Sequence, residues 1–209
     1  LTKEARKILD QHGLKDTKIT VSNSLDEYLI KELIHQGAQI DAFGVGERLV
    51  TARSEAVFGG VFKLSAIEVD GKLVPKIKIS ENIQKTTIPG FKQVYRFYDD
   101  MGMAEADVMT LFDEKIDPTK PFHLFDPNFP WKSKMIENFT AVPLLVQIFD
   151  QGELIYELPS LKEIRAYAKA EHEKLWPEVL RLERPHQYYV DLSQKLWDLK
   201  QELIIKHRK

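Results

Sequence analysis

The sequence predicts a mixed α/β fold, with a short parallel unit first, β hairpins through the middle and helices over the last fifty residues. Three observations carry this. Residues 19–43 read strand, helix, strand with short connectors, the order of a parallel βαβ unit. Turn signals at Asp70-Gly71, Asp99–Gly102 and Asp150–Gly152 each separate two strand-like runs. Helical spacing of apolar residues then returns after Ser160.

Each element has a local reason. Leu1, Ala5, Ile8 and Leu9 form one helical stripe that Gly13 ends, since glycine enters the left-handed region without a steric penalty. Ile19-Thr20-Val21 is a compact β-branched run closed by Ser22-Asn23. Ser24 with Glu27 has capping-box form, and Leu29, Ile30, Leu33 and Ile34 continue one apolar face to Gly37. Residues 40–43 supply the second strand. Runs 61–69 and 73–79 make one hairpin, 92–98 and 103–111 a second, and 144–149 and 154–156 a third. The proline- and aromatic-rich stretch 116–131 reads as a long ordered loop, in which Phe122, Phe125, Phe129 and Trp131 pack onto a core. Ser160 with Glu163 opens a helix, Leu192, Leu196, Leu199 and Leu203 line another, and the tail Lys206–Lys209 suits the negative end of a helix dipole.

Composition narrows the function classes. The 209 residues hold 30 Lys+Arg against 32 Asp+Glu, a formal charge of −2, without the basic excess of a nucleic-acid groove. There is no cysteine, which removes disulfides, thiolate metal sites and cysteine nucleophiles together. With no signal pattern at the N-terminus and no apolar run of about 18 residues, the expected setting is cytoplasmic, away from membranes.

The best local candidate for chemistry is Gly44-Val45-Gly46-Glu47, where glycines let a backbone approach a phosphate and offer its N–H groups. Neither the full G-x-G-x-x-G fingerprint nor a P-loop ending is present, so a structural turn and a phosphate site both stay open. Arg48 and Arg53 could serve an anion; pairing with Glu47 and Glu55 is the simpler expectation. Asp26 and Glu27 cap a helix entry beside Ser22-Asn23. Six scattered histidines make no zinc pattern, and Asp113, Glu114 and Asp117 read as solvated loop charge rather than a magnesium site.

Longer strings add a resemblance. Ile19–Ile30, Gln36–Thr51, Gly59–Leu64, Lys92–Tyr98, Leu158–Lys162 and Trp176-Pro177 together closely resemble the nicotinate phosphoribosyltransferase family, nearly end to end. The resemblance implies an enzyme that joins nicotinate to phosphoribosyl pyrophosphate with coupled ATP hydrolysis, forming nicotinate mononucleotide and pyrophosphate in NAD salvage. It implies ATP and Mg2+ for the full-length enzyme, with neither held tightly by this chain, and a homodimer when complete.

The implied fold is the last strands and helices of an irregular type II phosphoribosyltransferase α/β barrel. Residues 1–90 would give that barrel portion and a return hairpin, and 91–209 a mixed β-hairpin and helical C-terminal domain. Gly44, Gly46 and the backbone at Glu47 would hold the sugar 5-phosphate, Ser22 and Asn23 would face the same ligand, and Arg48 would be auxiliary. A carboxylate repels a phosphate, so the expected role of Glu47 is main-chain only. The family's upstream D-S-G-D-L segment, nicotinate-contacting arginine and phosphorylated histidine have no match here. The chain is accordingly expected to be the C-terminal portion, inactive alone, with no catalytic residue and no metal ligand of its own. The alternative is a non-enzymatic module binding a phosphometabolite or a partner on the same scaffold.

Overall fold

The computed structural model describes residues 1–57, 59–82 and 85–207; Arg208 and Lys209 of the expected basic tail lie outside the described residues. Two compact units, Leu1–Val61 and Phe62–Lys209, make up the chain.

The first unit runs α1 (Thr2–Gln11), β1 (Thr20–Ser22), α2 (Glu27–His35), β2 (Ala42–Gly44) and α3 (Glu47–Val50). Strands β1 and β2 pair in parallel, with Thr20, Val21 and Ser22 opposite Ala42, Phe43 and Gly44. Both long helices end in the same motif. Gly13 and Gly37 take φ of 76° and 71°, and the N–H groups of Leu14 and Ala38 reach back to Leu9 O at 2.9 Å and Leu33 O at 3.0 Å, which satisfies last-turn carbonyls.

Basic side chains of α1 tie it to its neighbours: Lys3 donates to Gln36 O at 2.6 Å, and Arg6 to Thr17 O at 2.6 Å and Leu14 O at 2.7 Å. At the start of the strand pair Ile19 N–H donates to Asp41 Oδ2 at 2.8 Å. That bond, with further help from Lys18, holds the Asp41 carboxyl below its usual range.

The entry to α2 keeps the capping expected of Asp26 but not the box expected of Ser24. Asp26, not Ser24, is the N-cap, and its Oδ1 accepts from Leu29 N–H at 2.9 Å. Asn23 and Ser24 sit at φ of 91° and 50°, so the chain is still turning away from β1 where the capping box would have begun helix.

In the second unit a hairpin of β3 (Ala66–Val69) and β4 (Lys72–Pro75) turns at Asp70-Gly71, both at positive φ as a tight hairpin requires. A four-stranded sheet follows in the order β12-β6-β5-β9. It comprises β5 (Lys92–Tyr98), β6 (Ala104–Leu111), β9 (Thr140–Pro143) and β12 (Val190–Leu192), the last parallel to β6 and the other pairs antiparallel. Ala104, Ala106, Val108 and Thr110 alternate as the buried face of β6. The core gathers on Phe97, which stacks on Phe139 at 4.6 Å and meets Phe122 edge-on at 5.0 Å.

Four expectations for this unit are corrected. The stretch 116–131 is not all loop: β7 (Phe122–Phe125) pairs with β8 (Ser133–Ile136), a strand hidden between Pro121 and Pro127. Phe122 and Phe125 do reach the interior, but Phe129 and Trp131 meet edge-on at the surface, 45% and 75% exposed. The third hairpin shrinks to β10 (Phe149–Asp150) and β11 (Glu153–Leu154).

The last fifty residues, finally, are not wholly helical, because β12 lies between α4 (Leu161–Glu173) and α5 (Gln194–His207). Helix α5 buries Leu196 and Leu203 and packs on β6, whereas α4 buries no residue and forms no extended seam with α5 among the described residues. The capping box of α4 is present in full, Ser160 and Glu163 each bonding the other's backbone.

Candidate functional site

The parallel pair places its carboxyl ends, Ser22 and Gly44, side by side. Open α/β sheets bind ligands beyond such ends. Here a cleft of about 310 Å³ is bordered by Asn23, Ser24, Gly44, Gly46, Arg48 and Arg53, with Glu47 and Leu25 completing it. Leu25 is 4% exposed and roots the loop after β1.

Two glycines serve different ends. A Cβ on Gly44 would stand 3.0 Å from the Ser22 Cβ, so a side chain there would have to push the neighbouring strand aside by a few tenths of an ångström. A Cβ on Gly46 would meet nothing within 4 Å. Packing therefore leaves the space over Gly46 open. Gly46 is also the N-cap of α3, and the N–H groups of Gly46, Glu47 and Arg48 donate to no acceptor among the described residues.

The arginines separate. Arg48 pairs with Asp26 Oδ2 at 3.8 Å, across to the entry of α2, rather than with Glu47. Arg53 makes no ion pair among the described residues, so the expected partnership with Glu55 is absent, and its side chain borders the cleft. Arg53 is the residue that sequence reasoning undervalued; its position just past α3 was the available signal. Ser22 lies in register with Gly44 but does not border the cleft, while Asn23 does.

The other polar groups considered in the sequence do not converge. Glu114 accepts from Ser193 Oγ at 2.7 Å, and Asp117 accepts from Thr119 Oγ1 at 2.6 Å, so the acidic run is dispersed. No set of three or more His, Asp or Glu among the described residues is placed to hold a metal ion. The densest polar network joins β5, β6 and α4: Arg96 clamps Asp107 at 2.8 and 3.0 Å and reaches Glu171 at 3.3 Å. Tyr98 and Tyr188 hydroxyls donate to Glu171 at 3.0 Å and Asp107 at 2.9 Å. The bond to Asp107 raises the Arg96 pKa, and burial pushes the Tyr188 hydroxyl up. Its members satisfy one another, which makes it a tie between elements.

With this geometry in hand, likeness to known proteins decides the family. Residues 91–200 match a family model described as the nicotinate phosphoribosyltransferase C-terminal domain. The chain belongs to the nicotinate phosphoribosyltransferase family.

Relatives in the family extend the likeness past the matched residues. The nicotinate phosphoribosyltransferase of Bacillus subtilis is 42% identical over 205 residues, covering 98% of this chain and 42% of that protein. The human enzyme of the same name is 33% identical over 183 residues, covering 88% of this chain and 33% of that protein. In three dimensions the chain is similar to the crystal structure of human nicotinic acid phosphoribosyltransferase, with a TM-score of 0.70 and 30% identity over 97% of this chain and 37% of that one. The mixed α/β fold is thus shared, and the chain spans less than half the length of the family members it matches.

Proposed function

We propose that this chain supplies the sugar-phosphate cradle of a nicotinate phosphoribosyltransferase. The observation that carries the reading is the cleft beyond β1 and β2, bordered by Arg53, without an ion-pair partner, and by the N–H groups of Gly46, Glu47 and Arg48, without acceptors, among the described residues. Backbone donors and a guanidinium suit a multiply charged phosphate. In the complete protein the pyridine nitrogen of nicotinate would bond to C1 of phosphoribosyl pyrophosphate as the C1–O bond to pyrophosphate breaks, giving nicotinate mononucleotide in NAD salvage. Gly44, Gly46 and the Glu47 main chain would grip the 5-phosphate, Asn23 and Ser22 would lie at its side, and Arg48 and Arg53 would balance its charge. Positioning of this kind lowers the barrier by prepaying orientation rather than by chemistry at the grip itself.

The barrel reading has its own support. A lone parallel strand pair flanked by helices leaves Ile8, Leu29 and Ile34 exposed at 50%, 42% and 60%, apolar surface that neighbouring strands and helices of a barrel would cover. Residues 1–90 then form the barrel portion and 91–209 the following domain, in a cytoplasmic homodimer. ATP coupling with Mg2+ belongs to the same reading, although the described residues contain no group of three or more His, Asp or Glu placed to hold a metal ion.

The purified 209-residue chain, titrated with phosphoribosyl pyrophosphate alongside Gly46→Val, tests the cradle. Saturable binding weakened at least tenfold by the substitution supports it, and binding indifferent to the substitution removes this loop from the account. The chain alone is expected to form no nicotinate mononucleotide.

A further inference from the structure

A second cleft lies within the unit Phe62–Lys209, enclosing about 290 Å³ and bordered by Glu105, Asp126, Lys132, Lys134, Tyr189 and Asp191. Asp191 sits at the middle of β12 and is 3% exposed. Its carboxylate nevertheless accepts no hydrogen bond and meets no cation among the described residues; burial, and after it repulsion from Asp126, pushes its pKa up to about 6. A buried carboxylate without donors is costly, and such groups in native proteins ordinarily have partners.

The remaining charges of the cleft have contacts of their own. Lys134 pairs with Glu105 at 2.8 Å, and Lys132 lies over the Phe129 ring at 4.8 Å. Asp126 Oδ1 accepts the N–H groups of Asn128 at 2.8 Å and Phe129 at 3.2 Å. Ser133 also borders the cleft, and neither it nor either lysine bonds to Asp191 among the described residues.

We propose that this cleft binds the primary ammonium group of a small organic cation, with Asp191 as its ion-pair partner and Asp126 adding negative potential. An ammonium brings three N–H donors on a carbon stem, and Leu124, 6% exposed, and Tyr189 border the cleft as apolar neighbours for that stem. The volume suits a ligand of a few carbons. A hard dication is the poorer fit, because it demands six or more oxygen ligands or several retained waters, and no metal-holding set is present among the described residues.

The test is calorimetric titration of the 209-residue chain with n-butylammonium chloride, 1,4-diaminobutane, 1-butanol and magnesium chloride at pH 7.5 and pH 5. The expected result is saturable binding of both amines at pH 7.5, about tenfold weaker at pH 5 where Asp191 is protonated, and none of butanol. Asp191→Asn should weaken the amines at least tenfold and Asp126→Asn by less. Absence of saturable amine binding, equal binding of butanol, equal binding by Asp191→Asn, or occupancy by magnesium in preference to the amines would overturn the proposal. Should Asp191→Asn fail to fold by circular dichroism, Asp126→Asn and the pH comparison decide the matter.

Discussion

Gly44 stands so close to Ser22 across the parallel pair that an added Cβ would lie 3.0 Å from the Ser22 Cβ, while a Cβ on Gly46, two residues later, would meet nothing within 4 Å. The two glycines of one turn therefore answer to different demands, one to the strand pair and one to whatever occupies the cleft.

That contrast predicts separable effects. Gly44→Ala should lower thermal stability, by about 1 kcal/mol as a typical strained substitution does, and weaken phosphate binding with it. Gly46→Ala should leave the melting temperature within about 1 °C, equivalent to a few tenths of a kcal/mol, and weaken phosphate binding alone. Thermal melts paired with phosphoribosyl pyrophosphate titrations separate the two.

The arginines divide similarly. Arg53 has no ion-pair partner among the described residues, so Arg53→Ala should cost about tenfold or more in affinity for a phosphate, in line with about 1.5–3 kcal/mol for a charged hydrogen bond, with no loss of stability. Arg48→Ala removes the 3.8 Å contact to Asp26, a half-exposed pair, and should change stability by under about 1 kcal/mol. Equal affinity losses for both variants would contradict the assignment of Arg53.

In the second unit, Arg96→Met leaves the Asp107 carboxylate, 13% exposed, without its bidentate partner. Breaking such a pair from one side costs about 3 kcal/mol. Urea denaturation should show that loss, and adding Asp107→Leu to Arg96→Met should recover part of it, because the stranded charge is then gone.

Asp191 predicts a pH dependence of definite sign. Its folded-state pKa is raised to about 6 from an ordinary 3.8, so the folded chain holds the extra proton between those values and this group's contribution to stability falls as pH rises through that window. The penalty is absent below the lower value and fully present above the upper one. Asp191→Asn, which carries no such penalty, should therefore gain stability relative to the parent as pH goes from 4 to 7.5, by on the order of 1–2 kcal/mol. A gap that is constant with pH would show the carboxylate to be solvated.

What was legible beforehand was whatever a few neighbouring residues decide. Gly13 and Gly37 ended helices, Asp70-Gly71 turned a hairpin, and Ser160 with Glu163 opened α4, each through bonds within a turn or two. Ser24 misled because its box competes with the left-handed turn at Asn23 and Ser24 that the strand exit imposes. Strands β9 and β12 escaped notice because each is short and finds its partner far along the chain, Thr140 against Tyr98 and Val190 against Asp107. In the cleft, Gly44, Gly46 and Asn23 were readable as a glycine turn beyond strand ends. The partners of the two arginines were not: Asp26 rather than Glu47 engages Arg48, and Arg53 forms no ion pair with Glu55.

The most direct measurement is a two-dimensional amide spectrum of the 209-residue chain with phosphoribosyl pyrophosphate added stepwise. The account predicts that the N–H signals of Gly46, Glu47 and Arg48 move most, saturate together and shift downfield as they take a phosphate acceptor. Saturating shifts confined to residues outside the β1–β2 cleft, or no shift at all, would contradict it.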